Sequence, residues 1–401
     1  MTEAQLARCR KRLEQFLVDL LEPIGRRERR HWGAVYVRGL LLEGERKSIE
    51  PMARRLPDGN EQALQQLVGQ SPWAWAPVWE RLARRMVREL EPEAVWAIDD
   101  SGFPKQGRHS VGVARQYSGT LGKTANCQVA VSLHEVCRQG AAVLGWRLYL
   151  PESWSADGPR RALAGIPEAV KFRRKWELAL ELIDQARKWG LAARIVVADA
   201  GYGNVTAFRE ALEQRNLPYA VGVQSSTGVW LMRRRQPAGR PASALPDGPP
   251  QPVAVKAAAQ QAAGWKQVRW REGSRGWLES RFWAGRVRAA HGFQEGRAPG
   301  KELWLLVEWP EQSSEPSKYF LCDLPATSTL RRLVQVTKSR WQIEQNYQQL
   351  KEELGLDHYE GRSWNGWHHH VTLVMLAHAF LTLETLRNKK NWWLDPAEDA
   401  P

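Results

Sequence analysis

Two short apolar runs each end in aspartate: Val95-Trp-Ala-Ile-Asp99-Asp100-Ser-Gly and Ile195-Val-Val-Ala-Asp199-Ala-Gly-Tyr-Gly. A third acid, Glu344, lies far downstream in a stretch with helical spacing. Hard cations such as Mg²⁺ take oxygen ligands and keep several waters. A pair of them stabilises both the attacking and the leaving oxygen of an in-line displacement at phosphorus. Two strand-end carboxylates and one helix carboxylate are a donor set suited to that chemistry.

The third acid sits in Arg340-Trp-Gln-Ile-Glu344-Gln-Asn-Tyr-Gln-Gln-Leu-Lys351-Glu-Glu-Leu. Stepped at about 100° per residue, Ile343, Tyr347, Leu350 and Leu354 fall within roughly ±40° of Ile343 and predict a buried stripe. On the same wheel Arg340, Glu344 and Lys351 fall at roughly 60°, 100° and 80°, one polar row beside that stripe. Such a row lets a carboxylate reach a metal over a sheet edge while its basic neighbours hold phosphates. Alone, the pattern is that of an ordinary amphipathic helix with an i,i+4 Arg–Glu pair, worth a few tenths of a kcal/mol. The two strand-end acids turn it into a chemical reading.

Other marked residues say less. His368-His-His370 cannot converge on one ion from a helix, because consecutive side chains do not face each other; a solvated or DNA-facing surface is expected. Lys105, Arg115 and Lys123 lie in the Gly-rich loop after the first acid, where phosphate contact and plain solvation fit equally. Asp357, Glu360 and Arg362 cap and brace the helix of the third acid. Cys9, Cys127, Cys137 and Cys322 form no CxxC, so neither a zinc ribbon nor a disulfide framework is implied.

The elements that must position these groups follow from pattern. Over 401 residues two or three units are expected, and 43% hydrophobic residues supply a large core. Residues 1–88 read as helices, with a helix–turn–helix candidate in 31–42, 47–56 and 61–68 and arginines at 26, 27, 29, 30, 54 and 55. Strands are expected at 94–99, 127–136 and 141–150, the last two as a hairpin. A helix at 171–189, a strand at 194–198, a helix at 204–214 and a strand at 218–223 follow. This order is that of a ribonuclease-H-like α/β fold, and open α/β sheets bind ligands at their strand ends. The Pro/Ala/Gly-rich stretch 236–252 reads as a mobile loop. Strands at 266–272 and 277–288, dense in Trp and Arg, read as a β-rich insertion. Strands at 303–309 and 317–322 and helices at 327–354 and 366–388 complete the core. The segments are 1–88, 89–223, 224–300, 301–388 and a tail, 389–401.

Lys plus Arg number 58 against 44 Asp plus Glu, a net +14 that favours a polyanionic partner through counterion release. There are 21 Trp, some beside Arg or Lys, such as Arg269-Trp270-Arg271. Stacking a base on an aromatic ring is worth about 1–3 kcal/mol, although basic stems lying over core Trp give the same pattern. The N-terminus lacks an apolar signal core. The longest greasy stretch, 371–386, contains His378 and Glu384 and is too short to span a bilayer. A cytoplasmic, nucleoid-associated protein with no membrane partner is expected.

Arg340, three residues, Glu344, six residues, Lys351 resembles the latter part of the Tyr-Arg-Glu-Lys signature of bacterial insertion-sequence DDE transposases of cut-and-paste type. The family's Tyr, three residues before the Arg, is replaced here by Thr337, with Trp341 nearby as an aromatic. Asp99-Asp-Ser-Gly-Phe-Pro-Lys-Gln-Gly, Ser110-Val-Gly-Val-Ala-Arg-Gln-Tyr-Ser-Gly-Thr-Leu-Gly-Lys and Gly355-Leu-Asp-His-Tyr-Glu-Gly-Arg-Ser-Trp resemble the same group. The resemblance covers most of 30–385 and is weakest in 224–300. It implies that Asp100, Asp199 and Glu344 are catalytic and hold two Mg²⁺, with Mn²⁺ able to substitute, and that Asp99 supports them from behind. Arg340 and Lys351, with Lys105, Arg115 and Lys123 of the Gly-rich loop, are the candidate DNA contacts. One insertion Trp, from Trp265, Trp270, Trp277 and Trp283, would stack on DNA, with Trp270 and Trp283 put forward.

The expected function is DNA transposition, in which insertion-sequence ends are cleaved and joined to target DNA. Double-stranded DNA carrying terminal inverted repeats is the expected partner, bound by a synaptic homodimer. An inactive or domesticated DNA-binding relative does not need the three acids. A metal-dependent nuclease or resolvase of the same fold cleaves DNA without joining it. A glycosidase-like acid pair leaves the +14 charge without a role.

Overall fold

The computed structural model describes residues 2–90, 93–119, 122–232, 252–273, 276–290 and 300–394. Most of the expected loop at 236–252, and the tail from 395, lie outside the described residues. The fold is mixed α/β, with a large mixed sheet and many helices. Two compact units are present: 1–94, 99–192 and 341–401 make the first, and 95–98 with 193–340 make the second.

The first unit opens with five helices: α1 (Glu3–Leu20), α2 (Arg27–Leu41), α3 (Ile49–Arg55), α4 (Glu61–Gly69) and α5 (Ala76–Glu89). Their starts are written in the sequence. Thr2 and Gln5 close a capping box on α1, and the Asn60 side chain accepts from the Ala63 amide at α4. The α3–α4 turn closes so tightly that a Cβ on Gly59 would lie 1.9 Å from the Ala53 carbonyl oxygen, which restricts the site to glycine. Helices α1, α2, α4 and α5 pack on α14 (Trp364–Leu394), which is apolar on nearly every side from Val371 to Leu383. Arg12 of α1 clasps Glu384 of α14.

The expected solvated face at His368–His370 is not found; the three histidines are 3%, 1% and 0% exposed. The reason is aromatic packing. His368 stacks on Trp75 at 4.2 Å, His369 on Trp73 at 3.8 Å and His370 on Tyr359 at 5.4 Å, and each has a ring nitrogen close to a backbone carbonyl. Burial holds His368 and His370 neutral, with pKa values pushed down to about 3.

The same unit holds residues 99–104 of β1 (Val95–Pro104), β2 (Ala114–Ser118), β3 (Lys123–Val136) and β4 (Ala141–Tyr149). The β2–β3–β4 ladder is antiparallel, so the hairpin expected from 127–150 is present. Two short turns, α6 (Glu152–Ser155) and α7 (Gly158–Leu163), lead to α8 (Lys175–Lys188), whose apolar face covers β3 and β4.

In the second unit, β1 pairs in parallel with β5 (Ile195–Ala198), Val95 opposite Ile195 and Ala97 opposite Val197. A helical turn, α9 (Ala200–Gly203), and helix α10 (Thr206–Gln214) carry the chain to β6 (Tyr219–Val223), parallel to β5. Their near-continuous apolar runs are what a parallel sheet covered on both faces requires. The sheet continues through β7 (Gly228–Leu231), β8 (Val253–Ala254), β9 (Lys266–Gly273), β10 (Gly276–Ala289), β11 (Glu302–Trp309) and β12 (Lys318–Cys322), with a turn, α11 (Val255–Gln260), after β8. The strand order is β6-β12-β11-β10-β7-β8, with β9 also on β10. Helix α12 (Leu330–Lys338) packs on this sheet.

The single helix expected at 327–354 is broken. Helix α12 stops at Lys338, α13 (Trp341–Gln348) restarts, and a π-helical turn occupies Gln349–Glu353. The hydroxyls of Thr337 and Ser339 bond back to the carbonyls of Leu333 and Val336, which bends helices and frees the next turn.

Candidate active site

Within the first unit, Asp100 is half-buried on β1 and lies 3.1 Å from the ammonium of Lys175, the first residue of α8. The Asp99 carboxylate turns back to accept from the Asp100 amide at 2.8 Å. Glu344 stands exposed in the first turn of α13. Beneath it, Ile343, Leu350 and Leu354 are buried as the wheel requires.

Lys351 departs from the expected polar row. It is buried, donates to the Gly102 carbonyl at 2.9 Å, and sits 5.4 Å from the Phe103 ring centroid. The π turn explains this. An i→i+5 turn advances less per residue than an α turn, so Lys351 falls back from the Glu344 side toward the Ile343 side. Burial pulls its pKa below the usual lysine range. Lys105 is likewise committed to backbone: it donates to the carbonyls of Tyr359 at 2.6 Å and Asp357 at 3.3 Å, and burial lowers its pKa to about 8. Arg115 on β2 and Lys123 at the start of β3 are exposed.

In the second unit, Asp199 closes β5 and caps α9, accepting from the Gly201 amide at 2.9 Å. The α9 turn lies close on β6, since a Cβ on Gly203 would be 1.9 Å from the Gly222 oxygen. Arg340 is in the turn after α12, partly buried, and Thr337 is buried within α12. The insertion tryptophans differ by what covers them. Trp270 packs edge-on against Phe282 at 5.6 Å, with the Lys338 ammonium 4.6 Å from its ring. Trp283 folds over Gly285, where a Cβ would meet the ring at 2.4 Å. Trp265 packs against Trp309, whereas Trp277 is 56% exposed.

Three oxygen-bearing acids are the right chemistry for hard cations. Among the described residues, however, no group of three or more His, Cys, Asp or Glu side chains is gathered closely enough to hold a metal ion. Sequence reasoning missed Lys175 as the partner of Asp100. The basic run Lys171-Phe-Arg-Arg-Lys175 before an apolar helix was its only signal.

A family described as DDE superfamily endonuclease matches residues 19–277, and one described as transposase DDE domain matches residues 176–380. The chain belongs to the DDE superfamily. This is the family that the Arg340–Glu344–Lys351 spacing implied, and its members generally use divalent metals. This DDE-superfamily chain is also 29% identical over 199 residues to a probable transposase for insertion sequence element IS701 from Microchaete diplosiphon. That match covers 49% of this chain and 50% of the relative, so the chain spans about half the length of the curated protein it matches. The cryo-EM structure of a piggyBac transposase synaptic complex with hairpin DNA superposes with a TM-score of 0.44 at 12% identity, covering 92% of this chain and 67% of that one. Among the described residues no helix is long and apolar enough to cross a membrane.

Proposed function

We propose that this chain is a DNA transposase that cleaves insertion-sequence ends and joins them to target DNA. The observation that carries the reading is the placement of the acids. Asp199 ends β5, Asp99-Asp100 continues the chain from the strand segment paired with it, and Glu344 lies on α13 in a superfamily named for such acids. The parallel β1–β5–β6 run and the antiparallel β2–β3–β4 ladder support a ribonuclease-H-like core.

Drawn closer together than they stand here, Asp100, Asp199 and Glu344 would hold two Mg²⁺, or Mn²⁺ in their place. Bound there, the cations supply charge for the attacking water or 3′-hydroxyl and for the departing 3′-oxygen. The protein's own groups do the positioning. Lys175 pairs with Asp100 and is a cation placed to be handed over to an incoming phosphate. Lys351 ties the π turn to the strand that carries Asp100. Arg115 and Lys123, exposed, are left to meet the DNA backbone, and Trp277 is the insertion tryptophan open to a base. The α2–α3–α4 segment would bind terminal repeats, and joining two ends calls for a homodimer on the bacterial nucleoid.

The test uses purified protein, linear DNA carrying the flanks of its own coding region, and Mg²⁺ or Mn²⁺, beside Glu344→Gln. Cleavage at both flanks and joined products, absent in the variant, support transposition. Cleavage without joining selects the nuclease reading, and binding without cleavage under either ion selects the DNA-binding reading.

A further inference from the structure

The inward side of α13 carries a polar circuit in the core of the first unit. The Asn346 amide donates to His134 Nδ1 at 3.2 Å. His134 Nε2 lies 2.8 Å from Ser132 Oγ, and Ser132 Oγ lies 2.6 Å from the Tyr347 hydroxyl. The circuit leaves α13 at one residue and returns at the next. Ser132, His134 and Asn346 are 0%, 0% and 7% exposed, and the His134 and Tyr347 rings meet edge-on at 5.5 Å.

The proton positions follow from this geometry. Nδ1 accepts from an amide, so a neutral imidazole must carry its proton on Nε2 and donate it to Ser132. Burial keeps the ring neutral, with a pKa pushed down to about 3. Both ring nitrogens of His134 and the hydroxyls of Ser132 and Tyr347 are therefore partnered without any charge being buried, and satisfied buried networks fix a unique arrangement. His134 sits beside a register shift in the β3–β4 ladder between Leu133 and His134. Bulges of this kind re-aim side chains and are frequent beside active sites.

We propose that His134 is a positioning residue for Glu344. Resting on the transposase reading above, it fixes the rotation and slide of α13 through Asn346 and Tyr347. Neither motion can shift Glu344, two and three residues earlier, without breaking one of the two bonds. Gln342 also donates to the Cys137 carbonyl at 2.7 Å, before Glu344, while the His134 circuit holds the turn after it; a hydrogen bond tolerates less rotation than apolar packing does.

Three variants test this: His134→Phe, Tyr347→Phe and His134→Gln, whose amide can still accept from Asn346 and donate toward Ser132. The readouts are metal-free affinity for end DNA, single-turnover cleavage at saturating DNA, thermal midpoint, and the ¹⁵N signature of the His134 tautomer in wild type. Displacing a reacting group by about 1 Å costs up to about a hundred-fold. Cleavage is therefore expected to fall about ten- to a hundred-fold in both Phe variants, with end-DNA affinity within about two-fold and a partial return in His134→Gln. The ring should show the Nε2–H tautomer. Cleavage unchanged in both Phe variants while Glu344→Gln is inactive overturns the inference and leaves the transposase reading standing. So does a loss of cleavage that only tracks the thermal midpoint and is not regained by Gln. Undiminished cleavage in Glu344→Gln refutes the underlying reading instead.

Discussion

Lys351→Met separates two roles for one lysine. The substitution keeps an unbranched stem of similar length and removes the ammonium. In the structure that ammonium donates to the Gly102 carbonyl and faces the Phe103 ring. A hydrogen bond from a charged group contributes about 1.5–3 kcal/mol, and a cation over an aromatic ring at this range about 0.5–1 kcal/mol. Against this stands the cost of keeping the charge in the core, visible in the lowered pKa. The net loss should be about 1–3 kcal/mol, a fall in Tm of about 2–10 °C for a unit of this size. Cleavage should fall with it, because the π turn is freed from the strand of Asp100, while end-DNA affinity and its salt dependence stay near wild type. The assays are a thermal melt and a DNA titration at several salt concentrations. If Lys351 instead holds a phosphate, Tm will not move, affinity will drop across all sequences, and the salt slope will shrink by about one. That result would refute the tether.

Gly203→Ala should destabilise by about 1–3 kcal/mol, the cost of overpacking, because the new Cβ would run into the Gly222 carbonyl and the Val221 Cβ; a melt and a cleavage assay should both register it through the Asp199 turn. Trp277→Ala should weaken end-DNA binding with the melt unchanged, whereas Trp270→Ala, which strips the cover from Phe282 and Lys338, should lower Tm and leave a correctly folded fraction with normal affinity. Lys105 gives a pH test. Its folded pKa, about 8, lies below the unfolded value of about 10.4. Between the two the unfolded chain binds more protons, so this group makes stability rise with pH. Wild type should therefore gain on Lys105→Met in melts compared from pH 7 to pH 9.5, and a constant or shrinking gap would contradict the burial argument.

Much of this molecule could be read from pattern because the pattern is local. The apolar runs at 95–98 and 195–198, the hairpin at 127–150 and the strands at 266–288 follow from alternation and turn residues. The acids stood out as candidates because carboxylates directly after such runs have little structural reason to be there. What periodicity could not supply was set by partners distant in sequence. His368–His370 look polar in one dimension, but tryptophans and a tyrosine up to about 300 residues away turn them into core. Strand β2 was invisible because its Ala114–Ser118 run is mostly polar and is held by β3.

The π turn is the sharpest case. A wheel stepped at one fixed angle sends Lys351 to the Glu344 side, and only the Gly102 carbonyl and the Phe103 ring explain why the chain widens there. The residues proposed to do chemistry are thus written locally. Within the first unit Asp100 is met by Lys175, and the segment of Glu344 is tied by Lys351 and the His134 circuit, each acting across a separation of at least 75 residues. Under the proposed reading, a substitution that spares all three acids still lowers cleavage.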